Sequence, residues 1–207
     1  MKTICFTGHR PKDLHGYADR ALYQPLTDEI ERIIKKLRDQ NDGVTVITGG
    51  AQGVDMIAGF VASRLMVEGR LGCRLYIPCF GQDSKWSATG LFSQAQYAQL
   101  LARYSVEQTK YLKSRAYVSP QDMTDRNHAM VNDSDIVVAI YNHSLEHAAT
   151  HKGSGTAECI RYAQKMRKPI LHHNTKTGKT TMYAGVEQQR MDLDTVGKLS
   201  VEGGEKK

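Results

Sequence analysis

The sequence predicts an α/β fold: one domain built on a Rossmann-like parallel sheet flanked by helices. Three observations carry that expectation. Short β-branched apolar runs alternate with long amphipathic stretches, the rhythm of βαβ units. Most of the runs are continuously apolar, as strands covered on both faces must be. Glycine-bearing loops follow several runs and lead into the stretches, as they do at the ligand edge of open α/β sheets.

In chain order, Lys2–Thr7, Val44–Thr48, Arg74–Pro78, Ile136–Tyr141 and Pro169–His172 read as strands, with a further one at Ala116–Ser119. Asp19–Asp39 carries Leu22, Leu26, Ile30, Ile33, Ile34 and Leu37 at spacings of three and four, a helix with one stripe toward the sheet. Gly53–Glu68 repeats the pattern and stops at Gly69. Ser93–Leu112, Pro120–Asn132 and Thr156–Met166 are the remaining helices, the second with proline in its first turn. The folded domain is expected over 1–173, and 174–207 reads as a polar C-terminal tail or appendage.

Hydrophobic residues make up 40% and charged residues 24% of 207 residues, ordinary for a globular chain. No apolar run approaches the roughly 18 residues that span a bilayer. The first apolar run is too short for a secretory signal, so the expected location is the cytoplasm. Cys5, Cys73, Cys79 and Cys159 are scattered without a Cys-x-x-Cys pair and are expected to be reduced. The formal charge of +6 favours anionic ligands, but acids interleave with the bases. No basic stripe with interleaved aromatics is visible, so nucleic acid is expected to be an unlikely partner.

The chemistry is expected in the loops. Thr7-Gly8-His9-Arg10-Pro11 and Thr48-Gly49-Gly50-Ala51-Gln52-Gly53-Val54-Asp55 both follow strands, and Lys152-Gly153-Ser154-Gly155-Thr156 precedes a helix. Glycines let backbone amides approach a phosphate, and the helix dipole behind them favours negative charge. Gly49-Gly50 can equally make only a tight turn. Arg10 is either a bidentate anion contact or a solvated arginine, and His9 touches the ligand or holds the loop. Asp55 binds a ribose hydroxyl or caps its helix; Trp86 stacks on a base or closes the core edge. Arg126 and Asn127 come from a helix that enters the fourth strand, Ser154 and Thr156 are candidate caps, and Glu158 stands in a first helical turn.

The ordered set of these loops, with Gln82…Trp86 and Arg126-Asn127-x-x-Met130-Val131-x-x-Ser134-Asp135, resembles the SLOG superfamily, closest to its YpsA-like branch. The resemblance implies a nucleotide-binding domain. Its expected partner is a nucleotide-derived small molecule, sensed or sequestered by a homodimer or higher homo-oligomer, with no membrane and no cofactor. The expected binding set is Gly8, His9, Arg10, Gly49, Gly50, Gly53, Asp55, Trp86, Arg126, Asn127, Gly153, Ser154, Gly155, Thr156 and Glu158. The second alternative is a phosphoribohydrolase like the LOG enzymes, whose arginine and glutamate look like Arg126 and Glu158 here. In that chemistry a carboxylate stabilises an oxocarbenium-like centre while the N-glycosidic bond breaks. The third is DNA binding of the DprA kind. LOG members carry Pro-Gly-Gly-x-Gly-Thr directly after their strand, whereas here Asn142–His151 intervenes.

His143-Ser-Leu-Glu146-His147 also matches the His-x-x-Glu-His pattern of one zinc-peptidase group, with His151 four residues on. The segment falls inside the nucleotide-binding frame, so the histidines are expected to line or cover the pocket and no metal is assigned.

Overall fold

The computed structural model describes residues 1–116, 119–184 and 189–192. Among these, eight strands form one sheet in the order β4-β3-β2-β1-β5-β6-β7-β8. β1 is Lys2–Gly8, β2 Val44–Thr48, β3 Leu71–Cys79, β4 Thr109–Lys113, β5 Ile136–Ile140 and β6 Ile170–His173. All neighbours from β4 through β6 pair in parallel. β7 (Thr180–Ala184) and β8 (Gln189–Asp192) close the far side as antiparallel strands.

Alternating side chains of the central strands build a core on each face. Ile4, Phe6, Val138 and Ile140 pack toward α1 (Gln24–Gln40), α2 (Val54–Leu65) and α3 (Gln94–Leu101). Cys5, Val137 and Ala139 pack toward α4 (Pro120–Asn132), α5 (Leu145–Thr150) and α6 (Gly155–Lys165). This doubly wound arrangement follows from the sequence, because strands apolar on both faces need helices on both faces. The chain moves from β1 toward β2 on one side and returns to β5 on the other, so the β1/β5 boundary is the topological switch point where such sheets hold ligands.

Local chemistry sets the helix starts. α1 begins with Pro25 in its first turn, and a single 3-10 turn over Ala21–Tyr23 occupies the segment expected to be helical before it. α4 opens with a reciprocal capping box: Ser119 Oγ accepts from the Asp122 amide at 3.2 Å, and Asp122 accepts from the Ser119 amide at 2.8 Å. Lys113 and Arg115 donate to the same Asp122 carboxylate, each at 2.5 Å. Four buried free thiols, Cys5, Cys73, Cys79 and Cys159, are absorbed into the layers as small apolar groups.

Three expectations are corrected. The helix expected over Ser93–Leu112 ends at Leu101, and Thr109–Lys113 is an edge strand. The break comes from a turn tied by local hydrogen bonds: Thr109 Oγ1 donates to the Ser105 carbonyl at 3.0 Å, and the Ser105 amide donates to Gln108 Oε1 at 2.8 Å. The domain does not stop at His173, since β7 pairs with β6 and buries Met182 completely. Leu145–Thr150 is a short helix where a loop was expected, capped by Ser144 accepting from the His147 amide at 3.3 Å. The strand expected at Ala116–Ser119 centres on Tyr117 and Val118, which lie outside the described residues, as does the tail from 193 onward. No helix among the described residues is long and apolar enough to cross a membrane.

Candidate functional site at the switch point

The three glycine-bearing loops meet at one rim. Gly8 ends β1 beside Ile140 of β5, and Thr156 Oγ1 at the start of α6 donates to the Gly8 carbonyl at 2.7 Å. The Val54 amide donates to the His9 carbonyl at 3.3 Å and so ties the β2 loop to the β1 loop. Gly53 makes this possible: its φ is +91°, and a Cβ there would overlap the His9 carbonyl oxygen.

Between the loops lies a cavity of about 320 Å³, walled by Gly8, Arg10, Asp55, Arg126, Asn127 and the Gly153–Thr156 segment. Arg126 is only 3% exposed, and its Nη1 donates to Asp55 Oδ2 at 3.4 Å. Its Nε donates to Asn127 Oδ1 at 3.1 Å, and Asn127 Nδ2 donates to the Gly155 carbonyl at 3.4 Å, a chain that links α4 to the α6 start. Gly49 leaves room for the guanidinium, because a Cβ at that residue would fall on Arg126 and lie 2.8 Å from Asp55 Oδ2.

The electrostatics favour an anion. Burial pushes the Asp55 carboxyl above its ordinary value, while Arg126 and Arg10 pull it back down. Burial lowers the Arg10 guanidinium from its usual range, with Arg126 adding to the effect and Asp55 opposing it. Arg126 thus pairs with Asp55 while the Arg10 charge acts on the same carboxylate, and Lys12 and Lys152 stand at the cavity wall with Asp13. Ser154 Oγ takes the Ala157 amide at 3.2 Å, which leaves the Gly155 and Thr156 amides of the first turn outside the intrahelical pattern, at the positive end of α6.

The remaining candidates are placed differently. Gly50 packs beside Tyr97 and Leu75. His9 Nε2 accepts from the Asn142 amide at 3.0 Å and its ring stacks on Tyr141 at 5.0 Å, so it holds the loop; burial keeps its pKa below the ordinary value. Trp86 packs edge-on against Tyr97 at 5.2 Å and lines a neighbouring cavity of about 290 Å³. Glu158 is not in the cavity wall: its Oε1 lies 2.6 Å from His128 Nε2, and His128 stacks on Tyr162. Its Oε2 is buried and has no hydrogen-bond partner among the described residues.

The imidazoles of His147 and His151 both point Nδ1 at the Tyr141 hydroxyl, at 3.0 and 2.8 Å, and His143 stacks on His147. His143 precedes the six-residue α5, so the three histidines do not lie along one helix as the peptidase pattern requires. Among the described residues no group of three or more His, Cys, Asp or Glu has the arrangement of a metal site. His151 does line the cavity. Sequence reasoning gave no binding role to Lys12, Lys152 or Tyr141, and used Gln82 only as part of the motif that carries the resemblance. Lys12 and Lys152 adjoin the glycine loops and were within reach of a charge count. Gln82, which donates to the Gly49 carbonyl at 3.1 Å, depends on a tertiary contact.

A model of the YpsA family, described as "YspA SLOG family", matches residues 4–174. A UPF0398 protein of Bacillus licheniformis is 28% identical over 149 residues, covering 70% of this chain and 78% of the relative. The SPbeta prophage-derived protein YoqJ of Bacillus subtilis is 27% identical over 150 residues, covering 68% of this chain and 81% of its own length. Among solved structures, DNA processing protein A from Helicobacter pylori, described with a single-stranded DNA binding mode, superposes with a TM-score of 0.53 at 17% identity. That match covers 83% of this chain and 64% of the other, less than two thirds of its length. It corrects the expectation that nucleic acid is an unlikely partner: a protein that binds single-stranded DNA carries this fold, and charge interleaved along the sequence is no ground for setting nucleic acid aside. With a family model spanning 4–174, the chain belongs to the YpsA branch of the SLOG family.

Proposed function

We propose that the switch-point cavity binds the phosphate group of a nucleotide or nucleotide-derived ligand. One observation carries this: the buried Arg126, paired with Asp55, and Arg10 line one cavity of about 320 Å³ at the amino end of α6. A bound phosphate would complete the charge balance and accept from the Gly155 and Thr156 amides and from Arg126. Binding without turnover is favoured over phosphoribohydrolysis, because Glu158 is held by His128 outside the cavity wall. The fold shared with DNA processing protein A adds the phosphates of a nucleic acid strand to the ligands to be tried.

The test is calorimetry with inorganic phosphate, ribose 5-phosphate, nucleoside monophosphates and unphosphorylated nucleosides, for the natural protein and Arg126→Ala. Phosphorylated ligands should bind, nucleosides should not, and Arg126→Ala should weaken binding about 10- to 150-fold, the worth of a charged hydrogen bond. No binding across the phosphorylated panel would remove the proposal. Release of free base on incubation, abolished by Glu158→Ala with binding retained, would replace it with the hydrolase.

A further inference from the structure

The phosphate cavity does not stand alone. Ala51 lines it, and the next residue, Gln52, lines the second cavity of about 290 Å³ together with Tyr17, Lys85 and Trp86. Leu91 and Phe92 belong to the wall of that second cavity and to the wall of a third, of about 330 Å³, between α1, α2 and α3. In the third cavity Arg103 lies over the Phe60 ring at 5.0 Å, and Arg20 and Tyr23 stand nearby in the wall. Arg20 and Arg103 are both exposed, and neither is held in an ion pair among the described residues. Arg64, in the same wall, is paired with Glu31.

Cations and aromatic rings therefore alternate from one cavity to the next, although they are dispersed along the sequence. Backbone phosphates want the first kind of group at intervals, and unstacked bases want flat rings between them. A mononucleotide would use only the first cavity and leave Arg20 and Arg103 without an anionic partner. The exposed Tyr17, 48% accessible, and Trp86 suit bases in a way that an acidic peptide would not require.

From this we infer that the adjoining cavities form one track for a single-stranded oligonucleotide. One phosphate sits at Arg126, bases stack against Tyr17 and Trp86, and following phosphates reach Arg20 and Arg103. The inference rests on phosphate binding in the first cavity and names the ligand as a chain of nucleotides.

The experiment is fluorescence anisotropy with labelled 5′-phosphorylated thymidylates and uridylates, from the mononucleotide to roughly eight nucleotides. Affinity should rise with length, and the slope of log affinity against log salt should steepen by about 1.4 for two added phosphates. The fluorescence of the single tryptophan, Trp86, should change on binding oligomers. Trp86→Leu should weaken oligomer binding at least about fivefold. The double variant Arg20→Glu/Arg103→Glu should lose the gain from length while binding inorganic phosphate as the natural protein does. Arg103→Gln, checked by circular dichroism, guards against misfolding of the double variant. A preference for the deoxy or the ribo series identifies the strand, and either supports the track.

Phosphate binding with no gain from length, or with the double variant unchanged, overturns the track alone. Polyglutamate binding as tightly as the oligomers also overturns it. Failure of phosphate and every mononucleotide to bind overturns the reading beneath it.

Discussion

Gly49→Ala is the sharpest probe of the site. The added methyl carbon would occupy the place of the Arg126 guanidinium and approach Asp55 Oδ2 to 2.8 Å. Arg126 and Asp55 are 3% and 7% exposed, so neither can step aside into water without moving α4 or α2. Breaking a buried ion pair costs about 3–5 kcal/mol, and the lower figure applies here because the Arg10 charge still favours the Asp55 carboxylate. For a domain of this size about 3 kcal/mol lowers Tm by about 6–12 °C. Phosphate affinity should fall by a further 10- to 150-fold, roughly, with the loss of one charged hydrogen bond. Differential scanning calorimetry and titration with inorganic phosphate read the two effects separately. A variant that keeps its Tm and binds phosphate within about twofold of the natural protein would refute both the packing of Arg126 against Gly49 and its role in the cavity.

Three other substitutions test the scaffold around the site. Met182→Ala removes a fully buried side chain from β7 and should cost about 2–5 kcal/mol in urea unfolding, whereas a polar tail would lose almost nothing. Hydrogen bonds from Lys113, Ser119 and Arg115 outweigh desolvation and hold the Asp122 carboxyl below its ordinary value. Its stabilising effect is therefore present above the ordinary carboxylate range and lost as pH falls beneath it, so Asp122→Asn should lower Tm at pH near 7 and converge with the natural protein in acid. Burial lowers the pKa of His9 and His172, so the unfolded chain takes up their protons first as pH falls. Stability should decline below about pH 6.5, by at most about 1.4 kcal/mol per pH unit for each imidazole, and His9→Asn should flatten that slope in unfolding measured from about pH 5 to 8.

Much of this architecture was legible because it rests on local rules. Continuous apolar runs such as Ile136–Ile140 announce strands covered on both faces, and Ile30, Ile33, Ile34 and Leu37 announce the buried stripe of α1. The glycine loops were legible as well, since a loop after a strand and before a helix has only one rim to occupy. What escaped depends on partners distant in sequence. Thr109–Lys113 lies at the sheet edge with Tyr111 41% exposed, so it shows no buried run and merged with the helix before it. Thr180–Ala184 is short and follows the polar Asn174–Lys179, so it merged with the tail in the sequence, and it becomes a strand because β6 offers it an open edge. Glu158 looked available because its helical position is visible in the sequence, whereas His128, thirty residues away, is not. The basic and aromatic groups of the three cavities come from separate segments, so no stripe could appear before the chain was folded.

The thiols offer a practical handle. Burial pushes Cys5 and Cys73 up to about 12 and raises Cys79 and Cys159 as well, and only thiolates react quickly with maleimides. The native protein should thus be silent toward such reagents near neutral pH, and a cysteine introduced at the exposed Val106 should accept a dye selectively. Single-site spectroscopy then becomes available without first stripping the natural cysteines from the chain.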